Sequence, residues 1–406
     1  MLPAPAPVPA PRPSRDPRRL ELADIVRAHG AAYRQTHVLA RAQGRALGAI
    51  AQCRTAALGG HHAVCTNCGV ARITYNSCRN RHCPKCQRVT TERWLAARQR
   101  ELLPIDYFHV VFTLPHALNP LAQSHPRLIY RLLFQAAAST LIRFGRDPRH
   151  LGGDVGVTAV LHTWGQTLTQ HVHVHCLVTG GALARDGTRW LPTHPGFLFP
   201  VRALAQVFRG RYLAGLQRAF ARGELHLTGG LAPLAEPAVF AAWLTELRQP
   251  AWVVYCKPPF AGPEHVLAYL GRYTHRVALS NDRLLALADG RVRFRWRDYA
   301  DHDRVKIMEL DVDEFLRRFL LHIVPDRFVR IRHFGLLANR GRAANLAQCR
   351  ALLAQPPPPV PDQGESVRAL LLRVLGVDIE RCPVCQRGVL QPRAVLPPIR
   401  LAWDTS

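Results

Sequence analysis

The sequence is poor in acid and almost without lysine. Asp and Glu number 28 against 54 Lys and Arg, a formal charge of +26 over 406 residues. Lysine occurs only at Lys85, Lys257 and Lys306. Such an imbalance narrows the partners to polyanions, of which the nucleic-acid backbone is the commonest. Arginine suits that partner, since its fork matches phosphate and also reads guanine. No run of 18 uncharged apolar residues occurs, so no membrane-spanning helix is expected. The opening stretch MLPAPAPVPAPRPSRDPRR lacks the charged start and apolar core of a secretory signal and reads as a disordered Pro/Ala tail. Apolar residues are not scarce: at 48% they exclude wholesale disorder, and the length allows roughly two or three domains.

Cysteine is unevenly spread. Six of the eleven lie between Cys53 and Cys86, and two more form Cys382-x-x-Cys385. A long basic chain without a signal is no exported disulfide scaffold, so a reducing cytoplasm and metal thiolates are the expectation. Cys65/Cys68 and Cys83/Cys86 are two C-x-x-C pairs with 14 residues between them, close to the spacing of a tetrahedral four-cysteine zinc ribbon. Those four are the expected structural zinc ligands, and the basic loop between them would present Arg79 and Arg81 to DNA. A second site is open to Cys53 and Cys78 with two of His61, His62 and His82. The tail pair Cys382/Cys385 is half a knuckle, either decayed or completed from elsewhere, Cys349 being one source.

Periodicity places helices over 20–52, 88–103, 118–144, 201–223, 237–248 and 312–322. Strand-like runs fall at 108–114, 155–164, 171–181, 252–256, 284–297 and 304–310. The segment 263–275 starts with Pro at a helix N1 position. The middle order, β-α-β-β-(helical insert)-β-α, predicts an α+β fold of ferredoxin-like type, an antiparallel sheet with helices on one face, preceded by a small zinc-binding domain. The expected divisions are a tail (1–19), a helical and zinc-binding part (20–103), a central domain (104–300), its C-terminal part (301–355) and a linker with the C-x-x-C tail (356–406).

Two patterns carry chemistry. Alternate residues of a strand share a face, so His171, His173 and His175 project together and can offer imidazole nitrogens to a divalent cation. Tyr269 and Tyr273 are four apart at helical spacing, beside Arg272, His275 and Arg276. A tyrosine hydroxyl can act as a covalent nucleophile toward a phosphodiester polarised by a metal.

Five segments, YNSCRNRHCPKCQ (75–87), FTLPHALNPL (112–121), HTWGQTLTQHVHVHCLVTGGAL (162–183), YCKPPFAGPEHVLAYLGRYTHRVALSN (255–281) and HFGLLANRGR (333–342), resemble the rolling-circle transposases of bacterial insertion sequences of the IS-ninety-one type. These are two-tyrosine members of the HUH (His-hydrophobic-His) endonucleases. The resemblance covers roughly residues 20 to 390. It implies an HUH nuclease palm, a catalytic Mg²⁺ or Mn²⁺ held by His173 and His175, and nucleophiles at Tyr269 and Tyr273; the basic Arg272 and Arg276 beside the tyrosines suit contacts to DNA. It further implies nicking of single-stranded element ends through a 5′-phosphotyrosine, and transfer of the strand to a target site in the bacterial cytoplasm, at the nucleoid. His171 would orient a ligand rather than be one. The third ligand is open among His265, His275 and Gln170. Two other classes compete: a replication-initiator or relaxase-like nickase of the same chemistry, and a non-catalytic zinc DNA-binding protein.

Overall fold

The computed structural model describes residues 19–257, 265, 266, 271, 277–356, 366–376 and 378–399. The chain begins with α1 (Leu22–Thr36), α2 (Arg41–Gln52), β1 (Gly60–Cys65), β2 (Ala71–Tyr75) and α3 (Gln87–Gln99). Then come β3 (Tyr107–Thr113), α4 (Asn119–Ser124), α5 (Pro126–Arg146), β4 (Gly153–Trp164), β5 (Gln170–Ala184), β6 (Trp190–Pro192), α6 (Val201–Ala221), α7 (Pro237–Glu246) and β7 (Val254–Lys257). Last are β8 (Leu284–Ala288), β9 (Arg291–Asp298), β10 (Arg304–Asp311), α8 (Val312–Leu320), β11 (Ile331–Gly335), α9 (Arg342–Leu352), α10 (Val367–Leu375) and β12 (Leu390–Leu396). Among the described residues, no helix is long and apolar enough to cross a membrane.

The chain divides into two compact units. One gathers described residues of 1–92, 279–316 and 360–406; the other those of 93–278 and 317–359. This differs from division in sequence order: the strands at 284–311 and the C-x-x-C tail group with the first 92 residues, the tail through β12 pairing with β1.

The second unit is built on one sheet with strand order β11-β4-β5-β3-β7, and β6 beside β5. Every neighbouring pair is antiparallel. β3 and β4, joined through α4 and α5, are separated in the sheet by β5, a split β-α-β arrangement. Alternation sorts the two faces. Val110 and Phe112 of β3, Val172, Val174 and Val178 of β5, and Val157, Ala159 and Leu161 of β4 enter the main core with Leu133, Phe134, Phe208 and Tyr212 of α5 and α6. Phe112 lies 4.9 Å from Phe208, centroid to centroid, and Phe208 lies 5.5 Å from Trp252. Burying one such ring contributes on the order of 3 kcal/mol. The opposite face carries His109, Thr158, His162, His173, His175 and Leu177.

In the first unit, β1, β2 and β12 carry little apolar packing among the described residues. β1 lies between β2 and β12, antiparallel to both, and β2 is exposed along its whole length. β8, β9 and β10 form a separate antiparallel sheet. The helix pair α1/α2 buries Leu22, Ile25, Val26, Leu47 and Ile50.

Candidate metal centres and catalytic site

Three histidines converge on the face of the large sheet opposite α5 and α6. His162 of β4 pairs in register with His173 of β5, and His175 follows two residues on. The ligand-capable nitrogens of all three lie within 4.8 Å of one another. The register of β4 on β5 shifts between His162 and Trp164, and such irregularities re-aim side chains next to functional sites. The His162 ring stacks on Trp164 at 4.7 Å.

Hydrogen bonds orient the rings. His173 Nδ1 donates to the His171 carbonyl at 2.7 Å, which leaves Nε2 with its lone pair. His175 Nδ1 lies 2.8 Å from His109 Nε2, and the two rings stack. If His175 donates there, its buried Nε2 is likewise an acceptor of metal. A second partner on the far ring nitrogen is how metal-binding histidines are held. Burial pushes His173 down to about 3, with the neighbouring His171 adding to it. His109 is pushed to about 3 by burial and by Lys257 and His173. Both rings are therefore neutral near pH 7, the form that binds a cation.

The other expected residues fall as follows. The His171 side chain is outside the trio, its Nδ1 3.2 Å from His116 Nε2, and its carbonyl orients His173. Gln170 is engaged on the helix-packed side, its oxygen accepting from Gln123 of α4 at 2.7 Å, on the face opposite the trio. His265 is exposed and outside the trio. The residue that completes the set is His162, which needs the β4/β5 register to be found; the same holds for His109. Tyr269, Tyr273, Arg272, Arg276 and His275 lie outside the described residues. Two residues of this stretch are described. Val266 packs against Tyr107 and Leu177, residues on the histidine face. Gly271 passes so close to α3 that a Cβ would stand 2.8 Å from Leu95.

The eight clustered cysteines do not pair as their spacing predicts. Cys65/Cys68 and Cys83/Cys86 do not meet. Instead Cys53, Cys78, Cys83 and Cys86 form one cluster, and Cys65, Cys68, Cys382 and Cys385 another. The reason is the β1/β2 hairpin. Cys65 and Cys68 sit at its turn, whereas Cys53 precedes β1 and Cys78 follows β2, where Arg54 N–H donates to the Asn76 carbonyl. The intervening six-residue strand is roughly 17 Å long at about 3.4 Å per residue, too far for one ion. His61, on exposed strand surface, and His82 are in neither cluster. In the first cluster Sγ separations are 3.5 Å (Cys53–Cys86), 3.6 Å (Cys78–Cys86) and 3.6 Å (Cys53–Cys83). Four thiolates about 2.3 Å from a tetrahedral zinc stand about 3.8 Å apart, so this donor set fits zinc. Thiol contacts from Cys53, Cys78 and Cys83 and the Arg79 backbone hold Cys86 well below the usual thiol range. Arg79 itself is exposed, in a left-handed turn at φ 53°.

Comparison with known proteins identifies the family of the chain. A family described as "Putative transposase" matches residues 156–344, and one described as "Transposase zinc-binding domain" matches residues 25–114. The chain is 49% identical over 394 residues to "Putative transposase y4qJ" of Sinorhizobium fredii (strain NBRC 101917 / NGR234), covering 95% of this chain and 98% of that one. It is 30% identical over 353 residues to "Transposase for insertion sequence element IS801" of Pseudomonas savastanoi pv. phaseolicola, covering 84% and 82%. No solved structure matches it significantly. By these near-full-length likenesses the chain belongs to the transposases of the IS91 and IS801 type, enzymes that act on DNA and carry an N-terminal zinc-binding domain.

Proposed function

We propose that this transposase cuts single-stranded DNA at the ends of its element with a tyrosine nucleophile, on an HUH-type palm, and passes the strand to a target by rolling-circle transfer. The observation that carries this reading is the trio His162, His173 and His175 on the sheet face free of α5 and α6, with hydrogen bonds orienting His173 and His175 and burial keeping His173 neutral. A divalent cation bound there would polarise a phosphoryl oxygen and stabilise charge as it develops. Three imidazoles suit Mn²⁺ better than the harder Mg²⁺. Val266 packs on the same face, and Tyr269 and Tyr273 follow it at i+3 and i+7, the spacing of one helix side.

In the proposed step the tyrosine oxygen attacks phosphorus, the O–P bond forms, and the bond from phosphorus to the 3′ oxygen breaks. The phenolic proton goes to solvent or a neighbouring base and the leaving 3′ oxygen takes one up, giving a 5′-phosphotyrosine and a free 3′-hydroxyl. With a reference pKa of about 10, the phenol needs nearby positive charge to ionise during attack. Arg272 and Arg276 are the proposed source, and they also hold phosphates. Two tyrosines allow one to keep the donor strand while the other opens the next junction. The four-cysteine cluster at Cys53, Cys78, Cys83 and Cys86 is the proposed structural zinc site.

The test uses labelled single strands from the element ends with Mn²⁺. A covalent protein–DNA product is expected, mapping to Tyr269 or Tyr273. It should vanish in the double Phe variant and in His162→Ala, while DNA binding persists through arginine contacts to phosphate. Normal cutting by His162→Ala, or an adduct at another residue, would overturn the assignment.

A further inference from the structure

We propose that Cys65, Cys68, Cys382 and Cys385 form a second structural zinc site, which clamps the C-terminal tail onto the N-terminal zinc-binding domain. Neither matched family region reaches the tail: they end at residues 114 and 344. Yet Cys65 Sγ lies 3.6 Å from Cys385 Sγ, and Cys68 Sγ lies 3.7 Å from Cys382 Sγ. These are the edge lengths expected of a zinc tetrathiolate, about 3.8 Å. A disulfide would need about 2.05 Å.

The two halves are built alike. Gly69 N–H donates to the Cys65 carbonyl at 3.1 Å, and Gln386 N–H donates to the Cys382 carbonyl at 3.0 Å. Each of those donors has left-handed backbone, φ +70° at Gly69 and +54° at Gln386. Backbone N–H groups also point at sulfur: Asn67 and Cys68 to Cys65, and Gly388 to Cys385. N–H groups aimed at sulfur stabilise thiolate, the form that binds zinc. Gly388 is required for the closure, since a Cβ there would stand 2.5 Å from Cys65 Sγ.

Apolar packing at the joint is slight among the described residues. Its apolar cluster consists of Cys65, Cys382 and Leu390, with Ala63 and Cys385 at the edge. Such a core is too small to order a tail by burial alone. Backbone pairing continues from it: Thr66 N–H donates to the Val389 carbonyl at 3.0 Å, and β12 then runs beside β1 from Leu390 opposite Cys65 to Leu396 opposite Gly60. The ion commits the tail to the sheet, and β12 covers the edge of β1 that β2 leaves open. Four soft thiolates filling all positions select zinc and leave no place for water, so the role is structural.

The test counts zinc in the full chain carrying His173→Ala and His175→Ala, so that only thiolate sites are read. Two zinc ions per chain are expected. Cys382→Ser and Cys65→Ser should each leave one, and the two together should still leave one, because they share a site. Cys53→Ser combined with Cys382→Ser should leave none. Two ions in Cys382→Ser, or none in the Cys65/Cys382 double variant, would overturn the proposal. Because a variant can misfold, the unmutated chain is also alkylated with N-ethylmaleimide and mapped. Cys65, Cys68, Cys382 and Cys385 should resist together and react together after chelation. Reaction of Cys382 and Cys385 with zinc in place, or a Cys65–Cys385 disulfide, would equally overturn it.

Discussion

The two compact units hold their metal-ligand sets in opposite ways. In the second unit the histidines stand on a sheet already fixed by a large core, with Phe112, Phe134, Val174 and Phe208 on the reverse face. In the first unit Cys65, Cys68, Cys382 and Cys385 stand where the described apolar packing is slight: β2 is exposed throughout and the cluster under β12 amounts to a few side chains. A preformed site binds metal for chemistry. A site without a core binds metal to have a fold at all. On the proposed assignments, the protein uses histidine where geometry is supplied by packing, and thiolate where geometry is supplied by the ion.

Substitutions can break this comparison at either end. The largest effect is expected for Cys53→Ser. Structural zinc contributes about 10–16 kcal/mol in small modules, so far-UV and hydrogen-exchange signals of 53–86 should collapse while β3 to β5 persist; intact protection across 53–86 would contradict the claim. Next is Phe112→Ala, which should cost about 3–5 kcal/mol by leaving a cavity under the histidine strand. Denaturant melts should show the second unit unfolding early and the zinc content unchanged. His109→Phe keeps the stacked ring but removes the bond to His175. It should weaken metal binding about 10–100-fold with little change in melting temperature, as read by Mn²⁺ titration. The smallest effect belongs to exposed Arg79→Ala. It should lower the salt slope of DNA binding by about one counterion without altering zinc content.

Legibility in the sequence followed range along the chain. Period-two patterning was enough for the strands at 108–114, 155–164 and 171–181 and for His173 and His175 on one face, because a strand's alternation is local. The three C-x-x-C pairs were also legible, since their spacing is local. What was not legible was which knuckle meets which. That depends on β12 crossing back to β1, a pairing of residues more than 300 apart, and on the length of one hairpin that keeps Cys65 away from Cys83. His162 and His109 were hidden for the same reason, since each reaches the site through the register of a neighbouring strand. Gln170 was a fair candidate by sequence adjacency, but Gln123 holds it on the helix side.

The most direct measurement of the contrast between the units is hydrogen exchange of the full unmutated chain, read peptide by peptide before and after zinc chelation. The expected result is loss of protection in 60–75 and 390–396 together, with 107–113 and 170–184 unchanged. Protection lost in the large sheet as well, or retained in both regions, would contradict it.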